Sequence, residues 1–529
     1  MTGLDQQSVR DYYDRVPYLS GSHHHTHPDH LATLALLNGL EPAPPQRCRV
    51  LELGCADGGN VIAFAHELPE STFVGIDLSP RQIERGLDEV QALGLKNVDL
   101  RAMSVMDVDA SFGAFDYILC HGVYSWVAEP VREKILAICG ALLVPHGVAY
   151  ISYNTFPGWH LRRMLREILL HHTRNVDDPD AKVARSFELV QFLVEAAGQG
   201  DDPHAKYLRA ALDHFEEYRD RPSYILHEYL EETNAPMYFR EFAARAAAHG
   251  LQYAGEAEAH EAEVDNLSPQ VAEKLRSFVS DRIELEQYLD FVLNRTFRRS
   301  LLVRSGLPLD RTMQPERMQR LYAATACKPV SDEPDLRPGA SEAFRTERDK
   351  TFSSTHPVAK ATLVELAARW PRALSFEEVV NGVNARLTAA GGSSDDTELV
   401  IPDLLYSLFW SGVVTLHLAP PHCVETVSER PRTAALARRQ AAAGLLVTNQ
   451  RRRVLKLDDP MARFILLQLD GTRDRPALVR QLDREVAAGR LDIRLDDQPI
   501  PDPSRIPAVL DALLDHHLRK MAQLALLVG

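Results

Sequence analysis

Apolar and polar positions sort the first part of the chain into short alternating runs. Residues 49–54, RVLELG, form an apolar run closed by glycine; NVIAFAHEL follows with helical spacing, and STFVGID is a second apolar run ending on an acid. The alternation continues through RQIERGLDEVQALG (helix), NVDLRAMSV (strand), FDYILCH (strand), VREKILAICGALL (helix) and GVAYISYN (strand). Strands that read as near-continuous apolar runs are covered on both faces, and β-α-β alternation at this spacing predicts a parallel sheet. The expected fold class is therefore α/β, Rossmann-like, in residues 1–156.

Helical periodicity replaces the strand signal over 157–225, as in ARSFELVQFLVEAA and KYLRAALDHFEEYRD, which predicts a helical insertion. Within 226–306, MYFREFAARAAAHG reads as a helix closed by Gly250, while LQYAGEAE and TFRRSLLVR read as late strands that finish the first sheet. Residues 328–356 are poor in large apolar residues, so 307–356 is expected to be linker-like. Beyond it, 357–529 reads as short amphipathic helices with strand-like SGVVTLHL and RRVLKL, a C-terminal α+β region that winged-helix-like modules would fit. GGSSDD at 391–396 is expected to be a flexible loop.

Composition narrows the classes. The 529 residues imply roughly three domains. A formal net charge of −15 sets the whole-molecule field against polyanions, so nucleic acid is not an expected partner. The six cysteines are isolated, no secretory leader is evident, and no window approaches the ~18 apolar residues of a membrane span. A cytoplasmic protein without membrane insertion is expected.

The chemistry concentrates in Glu52-Leu53-Gly54-Cys55-Ala56-Asp57-Gly58-Gly59-Asn60, between the first strand and its helix, followed by Asp77 at the end of the second strand. Gly54 and Gly58 let the backbone approach a nucleotide, and an acid ~20 residues onward can accept hydrogen bonds from ribose hydroxyls. A dinucleotide site seats pyrophosphate on the helix N-terminus. The anionic Asp57 disfavours that, whereas S-adenosylmethionine, with an amine and a sulfonium, tolerates it.

VLELGCADGGN, VGIDLSPRQI and FDYILCHGVYSWV resemble motifs of class I S-adenosylmethionine-dependent methyltransferases. More narrowly, YDRVPY, CHGVYSWV, GVAYISYNTFPGWH, HEYLEETNAPMYFREF and QYLDFVLNRTFRRSLL resemble bacterial methyltransferases bearing a methyltransferase regulatory domain, among them rickettsial protein-lysine methyltransferases that modify outer-membrane proteins. The resemblance covers most of residues 10–305 and, more loosely, the C-terminal LDGTRDRPAL segment. It implies that Glu52, Gly54, Cys55 and Gly58 contact the methionine part of the cofactor, that Asp77 takes the ribose hydroxyls and that Leu78 lies against the adenine. Asn60, Gln82 and His121 complete the expected cofactor set. Where the superfamily usually has an acid after the third strand, this chain has Ser104, with the Val105 backbone beside it; Asp107 takes that place if the register slips by one turn.

His121, Tyr124 and Trp126 follow the fourth strand, where an open parallel sheet has its ligand crevice. The expected catalytic set is Tyr124, His121 and Tyr18, and the expected acceptor-binding set is Tyr13, Tyr124, Trp126, Tyr153 and Trp159; tyrosine and aromatic faces suit an ammonium channel. Tyr124 and Trp126 also read as core aromatics at alternate spacing. The tract Ser22-His23-His24-His25-Thr26-His27-Pro28-Asp29-His30 invites a metal, but consecutive histidines cannot easily all face one ion, and it is read as a solvated loop without metal near the cofactor entrance. Arg430, Arg432, Arg438, Arg439, Arg451, Arg452, Arg453 and Lys456 suit docking of an acidic protein or of the acidic N-terminal domain better than DNA. The expected function is methyl transfer to lysine side chains of a protein, the partners being a protein or peptide acceptor and a second copy in a homodimer. A small-molecule or biosynthetic-peptide acceptor is the alternative; a non-catalytic regulator binding S-adenosylmethionine or DNA is the second.

Overall fold

The computed structural model describes residues 20–198, 200–261, 263–279, 281–392, 396–491 and 506–529, together with Arg10, Asp14, Arg494–Leu495 and Gln498–Pro499. Tyr13, Tyr18 and residues 393–395 of the 391–396 loop lie outside the described residues. Seven strands, β1 (Arg49–Leu53), β2 (Thr72–Asp77), β3 (Val98–Ala102), β4 (Phe115–Cys120), β5 (Leu143–Asn154), β6 (Leu251–Glu256) and β7 (Phe297–Arg304), form one sheet in the order β3-β2-β1-β4-β5-β7-β6. The first five are parallel, and β7 runs antiparallel to both β5 and β6. The strand order reverses between β1 and β4, where such sheets open a crevice at their carboxyl edge.

Helices α1 (Pro28–Leu37), α2 (Gly59–Glu67), α3 (Pro80–Leu93) and α4 (Glu129–Leu142) cover the two faces. Alternate strand residues supply both cores, as the two-residue side-chain period requires. Val50, Tyr117 and Tyr150 pack with α1 on one face, and Leu51, Ile118, Ile151 and Tyr153 pack with α4 on the other. The helix after β2 begins where its sequence directs: Ser79 Oγ accepts the Gln82 N–H at 3.2 Å, Pro80 needs no donor at the first position, and Gly94 closes the end in the left-handed conformation.

Between β5 and β6, α5 (Trp159–Thr173), α6 (Pro179–Ala197), α7 (Pro203–Glu217) and α8 (Pro222–Tyr229) gather around Leu165, Leu169, Val190, Phe215 and Ile225, a core separate from the sheet. Then α9 (Phe239–Ala248) packs under β6, while α10 (Pro269–Phe278) and α11 (Arg282–Leu293) lie between β6 and β7. The late strands and the helix closed by Gly250 therefore form as their sequence patterns predict.

The 307–356 segment is not a linker. It contributes strands at Tyr322–Ala324, Lys328–Pro329, Glu342–Arg345 and Thr351–Ser354, with Phe344 and Cys327 buried against Leu363. Three or four large side chains suffice for so thin a sheet, which is why the low apolar content misleads. The buried Lys360 ammonium fixes the intervening loop by donating to the carbonyls of Asp335, Arg337 and Ala340, each at 2.7 Å.

Helices Pro357–Ala368, Phe376–Ala389 and Thr397–Trp410 share the core of the sheet's α1 face. A last unit, with helices Ala435–Ala443, Pro460–Gln468, Arg475–Ala487 and Ile506–Gln523 and a hairpin pairing Leu446–Thr448 with Val454–Lys456, builds its own core around Ile465, Leu466, Leu510 and Leu514. The tip of that hairpin carries Arg452 into the N-terminal domain. Arg452 Nη1 meets Asp29 at 2.7 Å and Nη2 meets Glu67 at 2.8 Å, and His417 also reaches Asp29, at 2.8 Å. Arg439 pairs with Glu89 of α3, and Arg451 stacks on Trp370 while bonding Thr415. These arginines of the basic cluster thus join parts of the molecule to one another.

Candidate active site

The turn after β1 holds three residues at positive φ in close succession: Gly54 at 75°, Ala56 at 52° and Gly58 at 77°. A Cβ on Gly54 would stand 2.4 Å from Val123 Cγ2, so the loop after β1 touches the loop after β4 only because residue 54 has no side chain. The turn is stitched to β2 by Asp77, whose Oδ2 accepts the Ala56 N–H and whose Oδ1 accepts the Ser79 N–H, both at 2.9 Å. Each oxygen keeps a second lone pair. Burial raises the Asp77 carboxyl from its ordinary range against those two bonds.

The N-terminus of α2 is capped from inside. Ser20 Oγ accepts the Gly59 N–H at 2.8 Å and donates to Asp57, whose carboxyl burial also raises. Serine and carboxylate occupy the place a pyrophosphate would need, which agrees with the sequence argument against a dinucleotide.

Glu52, on β1 and 4% exposed, accepts a hydrogen bond from Asn60 Nδ2 at 2.8 Å through Oε1, while its Oε2 is buried with no partner. Burial pushes this carboxyl up to about 8. A buried acid with one free oxygen beside a glycine turn is an acceptor for an ammonium group, the group that the methionine end of S-adenosylmethionine presents. Gln82, in the first turn of α3, has a buried Oε1 without a hydrogen-bond partner. Leu78 is half-buried after β2, Cys55 is buried in the turn, and Ser104 caps the short turn Val105–Asp107 by accepting the Met106 N–H at 3.2 Å.

His121 ends β4. Its Nδ1 shares a hydrogen bond with the Tyr150 hydroxyl at 2.9 Å and lies 3.2 Å from Ser152 Oγ, which accepts the Gly122 N–H at 2.8 Å. The histidine tract does not float in solvent: His25 is buried, Thr26 and His27 are fully so, and the His23 N–H donates to Asn60 Oδ1 at 2.9 Å. The reading of a solvated loop is thereby corrected; the tract is sealed by β4, β5 and the C-terminal hairpin, contacts invisible in a local sequence window. The ring of His23 lies 4.1 Å and that of His25 5.3 Å from His121. Burial holds all three imidazoles neutral, lowering His23 to about 4 and His25 and His121 well below the usual range.

Tyr124 and Tyr153 are not brought to this face. Both are buried in the opposite core, where they meet Phe242, and burial raises both hydroxyls. Trp126 and Trp159 pack edge to face at 6.2 Å, Trp159 fully buried. Ser20 carries no sequence motif, and Thr26, Tyr150 and Ser152 lie in segments whose local pattern does not say what they touch; the fold gathers them.

A switch-point crevice, a left-handed glycine turn and an acid ending β2 define a class I methyltransferase, and its cofactor is S-adenosylmethionine. The family described as methyltransferase domain matches residues 51–149, the predicted methyltransferase regulatory domain matches 221–304, and the PKMT C-terminal winged helix domain matches 429–526. The structure of PKMT2 from Rickettsia typhi in complex with AdoHcy superimposes with a TM-score of 0.87 at 31% identity, covering 97% of this chain and 100% of that one. The uncharacterized protein RP789 of Rickettsia prowazekii is 33% identical over 98% of this chain and 93% of its own length. A second protein of that organism, RP028, is 42% identical over 44% of this chain and 93% of its own length. The chain belongs to this family of methyltransferases with a regulatory domain and a PKMT winged-helix domain.

Proposed function

We propose that this methyltransferase acts on lysine side chains of a protein. The observation that carries the reading is the set of uncharged imidazoles at the carboxyl edge of β4, beside the Glu52–Asn60 pair. Full-length likeness to PKMT2 of Rickettsia typhi supports it.

Glu52 takes the ammonium of the cofactor's methionine end, with Gly54, Cys55 and Gly58 lining the approach and Asn60 fixing the carboxylate. Asp77 accepts the ribose hydroxyls; Leu78 and Gln82 flank the base, with Ser104 and the Val105 N–H at its edge. The cofactor supplies a methyl carbon activated by a positive sulfur. A lysine arrives protonated, with an ordinary pKa near ~10.4, and must lose that proton before its nitrogen can attack. Desolvation along the path and the nearby sulfonium both favour loss of that proton to solvent, and His121, neutral and oriented by Tyr150, borders the path without adding a charge that would repel the ammonium. The chain's part is alignment of the lysine nitrogen with the donor's methyl carbon, where the N–C bond would form as the C–S bond breaks. Trp126 and Trp159 border the acceptor path.

Incubation with labelled methyl donor and whole-cell extract tests the reading. Label is expected in protein, as methyl-lysine after hydrolysis; label confined to small molecules overturns the acceptor, and label in neither overturns the activity.

A further inference from the structure

The three imidazoles beside the Glu52–Asn60 pair have a property that an uncharged lining does not require. His23, His25 and His121 can each aim one ring nitrogen so that all three lie within 4.8 Å of one another. Both ring nitrogens of His25 are buried without a hydrogen-bond partner, Nδ1 lying 3.9 Å from Glu258 Oε1, a costly arrangement unless another ligand meets them. His121 has its Nδ1 occupied by Tyr150 and Ser152, which leaves its Nε2 for another ligand and supplies the outer-shell hydrogen bond that metal-binding histidines have.

From this geometry we infer that His23, His25 and His121 bind one divalent transition-metal ion, zinc by the character of the donors. Three neutral imidazoles without a carboxylate suit zinc, cobalt, nickel or copper and do not suit magnesium or calcium. Zn–N bonds of about 2.0–2.1 Å place tetrahedral ligand nitrogens about 3.3 Å apart. Reaching that spacing from within 4.8 Å requires ring rotation, for which the incompletely buried His23 is placed. A neighbouring set, His24, His25 and Glu258, is less suited, because Glu258 is already engaged by His24 at 3.3 Å and lies 3.8 Å from Arg299. Arg299, the cation that faces the trio, is tied by both nearby oxygens of Glu261 at 2.9 and 3.0 Å, which offsets its repulsion of an ion.

Three protein ligands leave a fourth position open, as in sites that exchange an external ligand. A dication at this entrance repels an approaching ammonium, and it repels a sulfonium more than the neutral thioether left after transfer. Metal loading is therefore expected to slow methyl transfer and to weaken S-adenosylmethionine more than S-adenosylhomocysteine.

The test uses the untagged full-length protein stripped with a chelator and titrated with Co2+ alone, without cofactor, so that failure of the methyltransferase reading leaves it intact. One Co2+ per chain is expected, with the visible absorption of low-coordinate cobalt held by nitrogen. His25→Ala is expected to weaken binding more than about 100-fold and Tyr150→Phe about tenfold, whereas His24→Ala leaves it unchanged. Because His25 is buried, its variant is checked for folding by melting, and His23→Ala, at a less completely buried position, repeats the test. No stoichiometric binding, binding unchanged in His23→Ala, or loss in His24→Ala overturns the trio as the site.

Discussion

Glu52 shows how one residue couples fold, titration and ligand. Its folded-state value, raised from 4.5 to about 8 by burial, means that the folded chain holds this proton more tightly than the unfolded one. Stability from this group is therefore present in acid and falls as pH rises between those two values. Glu52→Gln keeps the acceptor for Asn60 and removes the ionisation. The cofactor-free variant is expected to melt above wild type at pH 8 and level with it near pH 5, while S-adenosylhomocysteine binds about 10- to 100-fold more weakly by calorimetry, through loss of a charge-assisted bond. Cofactor affinity of the wild type should rise from pH 6 to 8 as Glu52 ionises, a slope absent from the variant. Asp77→Asn, which keeps one oxygen for the backbone, is expected to cost at least about tenfold in the same measurement.

Among the elements, the crossing of the β1 and β4 loops is the most exacting. Gly54→Ala forces a Cβ onto Val123 at a left-handed φ of 75°, and a loss of about 1–3 kcal/mol by chemical denaturation is expected. Val123→Ala in the same chain should restore part of it, leaving the φ cost; no recovery would show that the clash is not the cause. The elements themselves were largely legible. Seven strands, the α9 stop at Gly250 and the helical run after Pro157 announce themselves by period and capping residues. Tyr124 and Tyr153 were not, because alternate spacing puts them on a face without saying which face meets ligand. Residues 307–356 misread for a related reason: sequence counts apolar residues, whereas Phe344 matters for where it packs.

At the scale of the molecule, Arg452 joins the C-terminal unit to the catalytic domain. Burial opposes ionisation of Asp29 and Glu67, yet Arg452 and the neighbouring histidines hold both carboxyls well below their usual range. Their contribution is fully present above ordinary carboxylate values and lost only in strong acid. Asp29→Asn leaves Arg452 buried with a missing partner, and a loss of about 3–5 kcal/mol is expected. Denaturation curves and the rate of proteolysis between the two units check it, and wild type and variant should converge as pH falls far below 4.

Local order was fixed by the chain's own pattern: apolar runs make buried strands, and glycine and proline set their turns. Those signals lie within about ten residues of one another and act through backbone preference. The folded structure alone decided which side chains meet across long separations, drawing His23 to His121, Ser20 to Asp57 and Arg452 to Asp29. Such meetings depend on desolvation and packing between distant segments, for which no local period exists.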